Sequence, residues 1–262
     1  MKPLPATSAA LRVTAPARLH LGFLDLNGSL GRRYGSIGMA IDRPSTQLTI
    51  SRADENSAIG AENRRVLKLL RKFTDDGRTG SYTVDVAHAI PAHAGLGSGT
   101  QLALAVGAAI ARLEGQHLSA ADLAALGERG ARSGIGLEAF ISGGFIVDGG
   151  KGTSDHPPPV TLRTDFPVNW RVMLILDPSF TGVSGEAETT AFADLPPFPD
   201  SQAAHICRLV LMKLVPGLKD EDIAAFGSAI TEIQEIVGAH FASKQGGTPW
   251  TSRSVGELAS RM

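Results

Sequence analysis

The sequence predicts an α+β protein of two domains. Apolar and polar residues alternate over residues 17–26 and 82–90, which indicates β-strands. The last third of the chain has the periodicity of helices instead, over residues 201–214, 221–239 and 252–261. Strands followed by a run of helices favour the α+β class. A length of 262 residues is sufficient for two domains.

A run of prolines at residues 157–159 marks the predicted domain boundary, because consecutive prolines end regular structure. We expect an N-terminal domain over residues 1–156 and a C-terminal domain over residues 157–262, opened by a strand at 171–176. The final predicted helix reaches the end of the chain with no element after it, so we expect the C-terminal domain to be incomplete. Shorter elements are predicted as strands at 11–15, 39–41, 46–51 and 145–147, a basic helix with a solvated charged face at 63–73, and a helix at 121–132 begun by a capping box of Ser119 and Asp122.

The composition excludes several classes of protein. A net charge of −1 gives no bulk basic surface for nucleic acid or anionic membranes. The single cysteine, Cys207, excludes an internal disulfide framework and a four-cysteine zinc site. The longest apolar run, residues 102–111, is too short to span a bilayer, and residues 1–10 have no apolar stretch typical of a secretory signal. We therefore expect a cytoplasmic enzyme without nucleic-acid or membrane partners.

Residues 91–100, which we call the cradle, carry the functional prediction. A predicted strand leads into the cradle and a long apolar helix, residues 101–114, leads out of it. Three glycines within five residues allow sharp turns and a close approach to a ligand. The N–H groups and dipole of the helix favour an anion there. From the loop alone, phosphate binding and a tight turn without a ligand are equally good interpretations. The residues expected to contact a phosphate are Gly95, Gly97, Ser98, Gly99 and Thr100.

Two other phosphate-binding motifs are excluded. The cradle does not end in Gly-Lys-Ser or Gly-Lys-Thr, so it is not a Walker A loop. Gly134, Gly136 and Ala139 have the spacing of a dinucleotide-binding motif, but they follow a predicted helix rather than a strand.

Four segments together resemble the GHMP kinase superfamily and, within it, the β-ribofuranosylaminobenzene 5′-phosphate synthase family. They are residues 17–42, 91–113, 132–150 and 182–192, of which the first and third are the most distinctive. The resemblance implies a GHMP-type fold, with a ribosomal protein S5 domain 2-like N-terminal domain and a ferredoxin-like C-terminal domain. It implies a pentosyltransferase that condenses 4-aminobenzoate with 5-phosphoribosyl 1-diphosphate, releases CO2 and pyrophosphate, and serves tetrahydromethanopterin biosynthesis. Mg²⁺ as cofactor and a homodimer are further implications.

One departure from the kinases of this superfamily affects the expected reaction. Many of these kinases have a catalytic aspartate after the second glycine-rich helix, where this chain has Gly136. Without a carboxylate there, a substrate hydroxyl has no general base. This favours the synthase over the alternative, a GHMP-type ATP-dependent small-molecule kinase. A non-catalytic phospholigand-binding protein is the third hypothesis.

Asp25 and Arg32 are the expected catalytic residues by this resemblance. Asp25 could stabilise a cationic sugar or bind the metal together with Ser98, but capping of the following turn explains it equally well. Arg32 lies in a glycine-rich loop, and its guanidinium suits a carboxylate or phosphate; a solvated charge is the alternative. Further candidates are Arg18, His20 and Glu188 for the substrate, and Glu138 and Asp148 as metal ligands or as groups that support the site, with a turn as the other interpretation of Asp148.

Overall fold

The computed structural model describes residues 10–74, 80–128, 130, 133–154, 156–177, 195–244, 247–250 and 252–261. The strands are β1 (Leu11–Asp25), β2 (Tyr34–Ala53), β3 (Ser57–Gly60), β4 (Ser81–His88), β5 (Phe145–Asp148) and β6 (Val160–Thr164). The α-helices are α1 (Asn63–Thr74), α2 (Ser98–Leu113), α3 (Ala120–Leu126), α4 (Ile135–Ile141), α5 (Asp200–Leu209), α6 (Val215–Lys219), α7 (Ile223–Phe241) and α8 (Arg253–Ala259). A π-helical turn, Val210–Leu214, joins α5 to α6, and a 3₁₀ turn, Ala242–Lys244, follows α7.

The long strand β2 is the centre of the sheet formed by the described strands. β1 pairs antiparallel with β2 along most of its length. On the other side, β4 pairs with residues 47–53 of β2, and β5 pairs with residues 37–39. β3 extends the sheet beyond β4 in parallel, and β6 extends it beyond β5 in antiparallel orientation. One strand therefore holds two separate parts of the sheet together.

Two hydrophobic cores lie along the β1–β2 pair. Near the start of β1, strands β2 and β4 pack against α1 and α2; the members include Leu48, Ile50, Val66, Leu70, Tyr82, Val84, Leu102 and Val106. Further along β1, strands β1, β2 and β5 pack against α5, α6 and α7; the members include Ala17, Ile37, Met39, Phe145, Val147, Ile206, Leu218, Ala229 and Ile233. The second core joins the early strands to the late helices.

Strand β5 is buried on both of its faces. Phe145 and Val147 face the core shared with the late helices, whereas Ile146 packs with Ile135 and Ala139 of α4. This explains why residues 145–147 of β5 are a continuous apolar run in the sequence rather than an alternating one.

The structure confirms most predicted elements and corrects three. The strands predicted at 11–15 and 17–26 form the single strand β1, and those predicted at 39–41 and 46–51 belong to β2. A bulge that leaves residues 42–44 unpaired lets β2 continue past Pro44. The strand predicted at 171–176 is wrong, because no strand of the described chain pairs with that stretch.

The predicted domain division at 156/157 stays a prediction. β6, which follows that point, pairs with β5, which precedes it. From Asp165 onward, the described residues form helices and no strand, so the ferredoxin-like C-terminal domain also stays a prediction. None of the helices in the described ranges has the length and apolar character that a membrane crossing requires.

Candidate active site

The cradle connects β4 to α2 through left-handed backbone. His93, Gly95 and Gly97 have φ angles of 59°, 73° and 77°. Gly97 is the N-cap of α2, and its carbonyl accepts a 3.1 Å hydrogen bond from the Gln101 N–H. Leu96 anchors the loop with only 3% of its surface exposed. The predicted strand–loop–helix order is confirmed, and α2 begins at Ser98, three residues earlier than expected.

Arg18 of β1 lies across the cradle. Its backbone N–H donates to the Leu96 carbonyl at 3.1 Å, and its Nη1 donates to the Gly95 carbonyl at 2.5 Å. A Cβ atom at Gly97 would lie 2.9 Å from Arg18 Cγ, so the arginine stem occupies the space that a side chain at 97 would need. The guanidinium thus adds a positive charge to a loop already suited to anions.

His20 lies two residues further along β1 and is uncharged at neutral pH. Burial and the neighbouring Arg18 guanidinium lower the pKa of His20 to about 3. Its ring contacts Phe23, with 4.5 Å between the ring centroids. Phe23 in turn contacts Tyr34 and Phe241, at 6.2 Å and 6.3 Å. His20 and Phe23 are three residues apart along β1, and the pairing register of β1 with β2 shifts between His20 and Gly22.

These aromatic residues were missed by the sequence analysis. Phe23, Tyr34 and Phe241 come from β1, β2 and α7, and no spacing in the sequence indicates that they meet. Together with His20 they form an aromatic group next to Arg18. All four residues of this group are partly exposed.

Asp148 is a structural carboxylate that joins the start of the second glycine-rich segment, residues 133–150, to the sheet. Its Oδ1 accepts from the N–H groups of Ser36 (3.0 Å) and Gly150 (2.9 Å). Its Oδ2 accepts from the Gly134 N–H (2.9 Å) and the Ser133 hydroxyl (3.0 Å). Burial raises the pKa of Asp148, while these four hydrogen bonds act in the opposite direction. Four donors around one carboxylate favour the turn interpretation over a metal ligand.

Arg32 binds backbone carbonyls next to Asp148. Its Nε donates to the Gly149 carbonyl and its Nη2 to the Gly150 carbonyl, both at 2.7 Å. These contacts place Arg32 with the second glycine-rich segment, whereas Arg18 contacts the cradle. The catalytic role of Arg32 stays a prediction.

Asp25 caps the turn that ends β1. Its Oδ1 accepts from the N–H groups of Asn27 (2.7 Å) and Gly28 (3.2 Å). The same turn is bound to the start of α5, because Asn27 Nδ2 donates to the Phe198 carbonyl and to Asp200 Oδ1, both at 2.8 Å. Asp25 is the last residue of β1, seven positions beyond Arg18. Its contacts are those of a turn-capping aspartate, and its catalytic and metal-binding roles stay predictions.

Gly136 of α4 packs against the first turn of α2. A Cβ atom at Gly136 would lie 3.2 Å from Thr100 Cγ2, and the Gly136 carbonyl accepts a buried 2.7 Å hydrogen bond from Gln101 Nε2. The side-chain direction at 136 therefore points at the cradle, and glycine leaves that position without a carboxylate. α4 follows α3 rather than a strand, which confirms that Gly134–Ala139 is not a dinucleotide-binding motif.

Two other predicted site features have no test in these contacts. Glu188 lies outside the described residues. Among the described residues, no cluster of three or more His, Cys, Asp or Glu side chains could hold a metal ion. Ser98, half-buried in the first turn of α2, is the predicted metal-binding residue that the structure places in the cradle. A cavity of about 1020 Å³ lies elsewhere in the protein and is lined by none of the predicted site residues.

Comparison with known proteins identifies a domain and close relatives. The sequence model of the GHMP kinases N terminal domain matches residues 63–144, from α1 to the residue before β5. The chain is 35% identical over 240 residues to a β-ribofuranosylphenol 5′-phosphate synthase of Archaeoglobus fulgidus, covering 86% of this chain and 76% of that protein. It is 34% identical over 253 residues to a protein of the same name from Methanothermobacter thermautotrophicus, covering 86% and 75%.

A solved structure supports the fold. Mevalonate diphosphate decarboxylase from Staphylococcus aureus superposes with a TM-score of 0.57 at 17% identity, over 96% of this chain and 80% of that one. At this identity the likeness concerns the fold alone, and it confirms the GHMP-type α+β class. The identities to the two synthases are high enough to show the family as well as the fold. The chain therefore belongs to the family of the β-ribofuranosylphenol 5′-phosphate synthases and carries the N-terminal domain of the GHMP kinases.

Proposed function

We propose that this protein is a pentosyltransferase that joins an aromatic carboxylic acid to 5-phosphoribosyl 1-diphosphate, as part of tetrahydromethanopterin biosynthesis. The identity of 35% over 86% of the chain to a synthase named for β-ribofuranosylphenol 5′-phosphate carries the proposal. That name describes a ribose 5-phosphate joined to a phenol ring. A donor of ribose 5-phosphate and an aromatic acceptor are the two substrates that such a product requires.

The reaction forms one bond and breaks two. The ring carbon that carries the carboxylate attacks C1 of the ribose, and the C1–oxygen bond to the diphosphate breaks to release pyrophosphate. The bond from the ring to the carboxylate then breaks, and its electron pair restores the aromatic ring as CO2 leaves. Because this electron pair is already present in the substrate, the step requires no oxidant and no base at Gly136.

The cradle and Arg18 suit the phosphate-bearing substrate. The first-turn N–H groups of α2, the hydroxyls of Ser98 and Thr100, and the Arg18 guanidinium are donors for phosphate oxygens. Mg²⁺, when bound, would neutralise charge on the leaving diphosphate; phosphate oxygens would supply most of its ligands and Ser98 one protein oxygen. The partly exposed ring of Phe23, next to uncharged His20, is suited to an aromatic acceptor.

Gly136 is the observation against the alternative, an ATP-dependent small-molecule kinase. The backbone at 136 points at Thr100 of the cradle, where a general base would be needed, and it carries no side chain. Asp148, the nearby buried carboxylate, already accepts four hydrogen bonds.

Three finer features belong to this proposal. The relatives are named for a phenol product, which favours 4-hydroxybenzoate over 4-aminobenzoate as acceptor. A cytoplasmic location and a homodimer are retained as predictions.

A pyrophosphate-release assay tests the proposal. The protein is mixed with 5-phosphoribosyl 1-diphosphate and Mg²⁺, with 4-hydroxybenzoate, with 4-aminobenzoate, or with no acceptor. We expect pyrophosphate release that depends on an aromatic acid, equal amounts of CO2, and a product of the corresponding mass. Release without an acceptor, or phosphorylation of an alcohol by ATP in place of release, would refute the synthase assignment.

A further inference from the structure

A cationic cavity lies beside the cradle, between α1 and α2. It has a volume of about 250 Å³. Arg65, Lys68 and Lys72 of α1 line it, together with Gly99 in the first turn of α2. Gly99 belongs to the cradle, so the cavity adjoins the predicted phosphate site directly.

The helical period places the three cations on one face of α1. Positions 65, 68 and 72 are separated by three and four residues, which brings them to neighbouring positions on a helix. Val66 and Leu70, on another face, are buried in the core. The sequence analysis interpreted the charges of this helix as a solvated face. Lys68 is exposed, in agreement with that interpretation, whereas Arg65 and Lys72 are half-buried where they line the cavity.

The cations of the cavity differ in their partners. Arg65 Nη1 lies 3.0 Å from Glu62 Oε2, and Lys72 Nζ lies 2.5 Å from Glu128 Oε1. Lys68 has no hydrogen bond or ion pair with the described part of the chain.

The lining of the cavity is net positive. Among the lining residues that the structure describes, Glu128 is the one carboxylate beside three cations; Glu62, which does not line the cavity, pairs with Arg65. Leu69 and Leu102 supply apolar walls, which strengthen the attraction between Lys68 and an anion relative to open water.

We propose that this cavity is a second phosphate subsite, in which Lys68 binds the phosphate at one end of a substrate whose other phosphate-bearing end lies in the cradle. The inference rests on the proposed function, because 5-phosphoribosyl 1-diphosphate carries phosphate at two separate positions, a monophosphate at C5 and a diphosphate at C1. Gly99 lies in both the cradle and the cavity wall, so one ligand can reach both. Ribose 5-phosphate and pyrophosphate are the fragments that distinguish which group occupies the cavity.

Lys68→Gln tests the subsite, with Arg71→Gln as the matched control. Each variant removes one positive charge from an exposed position of α1, but Arg71 does not line the cavity. Glutamine is a good helix former, so α1 should remain folded in both variants, which circular dichroism checks. Dissociation constants are measured by calorimetry for ribose 5-phosphate and pyrophosphate, and the KM for 5-phosphoribosyl 1-diphosphate is measured where there is turnover.

We expect Lys68→Gln to weaken the binding of one of the two fragments about fivefold to tenfold. The KM for 5-phosphoribosyl 1-diphosphate should rise by the same factor, as for loss of one charge-assisted hydrogen bond. Arg71→Gln should change each value less than twofold. Equal effects of the two variants, no effect of either, or failure of the wild-type protein to bind either fragment would overturn the subsite. Selective weakening by Lys68→Gln in a protein that releases no pyrophosphate would leave the subsite standing and refute the proposed function instead.

Discussion

Asp148 gives the sharpest test of how the second glycine-rich segment is held in place. We expect Asp148→Asn to lower the free energy of unfolding by about 2 kcal/mol. The carboxylate accepts four hydrogen bonds, two at each oxygen. Asparagine preserves the size of the side chain, but its NH2 group cannot accept a hydrogen bond. In either orientation of the amide, one pair of donors therefore faces another donor.

The two amide orientations differ in cost. With Nδ2 toward Ser36 and Gly150, two backbone N–H groups lose their acceptor. With Nδ2 toward Gly134 and Ser133, the serine hydroxyl can rotate and accept, so only the Gly134 N–H is left unpaired. The second orientation is expected. One buried unpaired donor costs about 1–3 kcal/mol, and relief from burying a charge offsets the weaker remaining bonds.

Urea unfolding followed by circular dichroism measures the effect, and the Tm should fall by about 4–8 °C. Ser133→Ala, which removes one donor and leaves the carboxylate intact, should cost about 1 kcal/mol as the control. The loss in Asp148→Asn should be the same with and without Mg²⁺, because the carboxylate is already fully bonded. A change below about 0.5 kcal/mol, or a loss seen only with Mg²⁺, would refute this reasoning.

Three further substitutions test the cradle and its surroundings. Gly97→Ala places a methyl group 2.9 Å from Arg18 Cγ at a φ of 77°, so the KM for 5-phosphoribosyl 1-diphosphate should rise about tenfold, and an unchanged KM would contradict the role of the cradle. The pKa of His20 is about 3 in the folded protein and 6.5 ordinarily, so the unfolded chain takes up a proton at this residue before the folded protein does. The free energy of unfolding is therefore highest above pH 6.5 and falls as the pH falls toward 3. Urea unfolding should therefore show that the wild type loses about 1–2 kcal/mol more than His20→Gln between pH 7 and pH 5; parallel losses would argue against this. Gly136→Asp should lower the Tm, because its Cβ would lie 3.2 Å from Thr100 Cγ2, and should yield no ATP-dependent phosphorylation; kinase activity in this variant would show that the missing carboxylate alone separates the two reactions.

Local patterns in the sequence were sufficient for the elements whose cause is local. The cradle follows from closely spaced glycines between a strand and a helix. The capping box is confirmed, because Ser119 Oγ accepts from the Asp122 N–H and the Asp122 carboxylate accepts from the Ser119 N–H. Each of these interactions spans at most a few residues, so residue type and spacing alone determine it.

The partners of the arginines could not be predicted in the same way. Arg18 binds a carbonyl 77 residues away, and Arg32 binds one 117 residues away. A guanidinium donates equally well to a phosphate, a carboxylate or a backbone carbonyl, so residue type does not select among them. The sequence analysis ranked Arg32 above Arg18 as a site residue, whereas the observed contacts place Arg18 on the cradle. The strand expected at 171–176 failed for a related reason, since a strand depends on a distant partner that its own residues do not specify.

The connection between the turn after β1 and the start of α5 has a consequence for synthesis of the chain. Asn27 donates to the carbonyl of a residue 171 positions later, and the sheet face that carries Ala17, Ile37 and Phe145 is covered by α5 and α7. While the protein is being made, that apolar face is complete long before its cover emerges from the ribosome. Contacts over such separations also slow folding. The emerging protein therefore passes through a stage in which one face of its central sheet is apolar, exposed and prone to aggregation. Its yield in the cell depends on how quickly the last third of the chain is synthesised and covers that face.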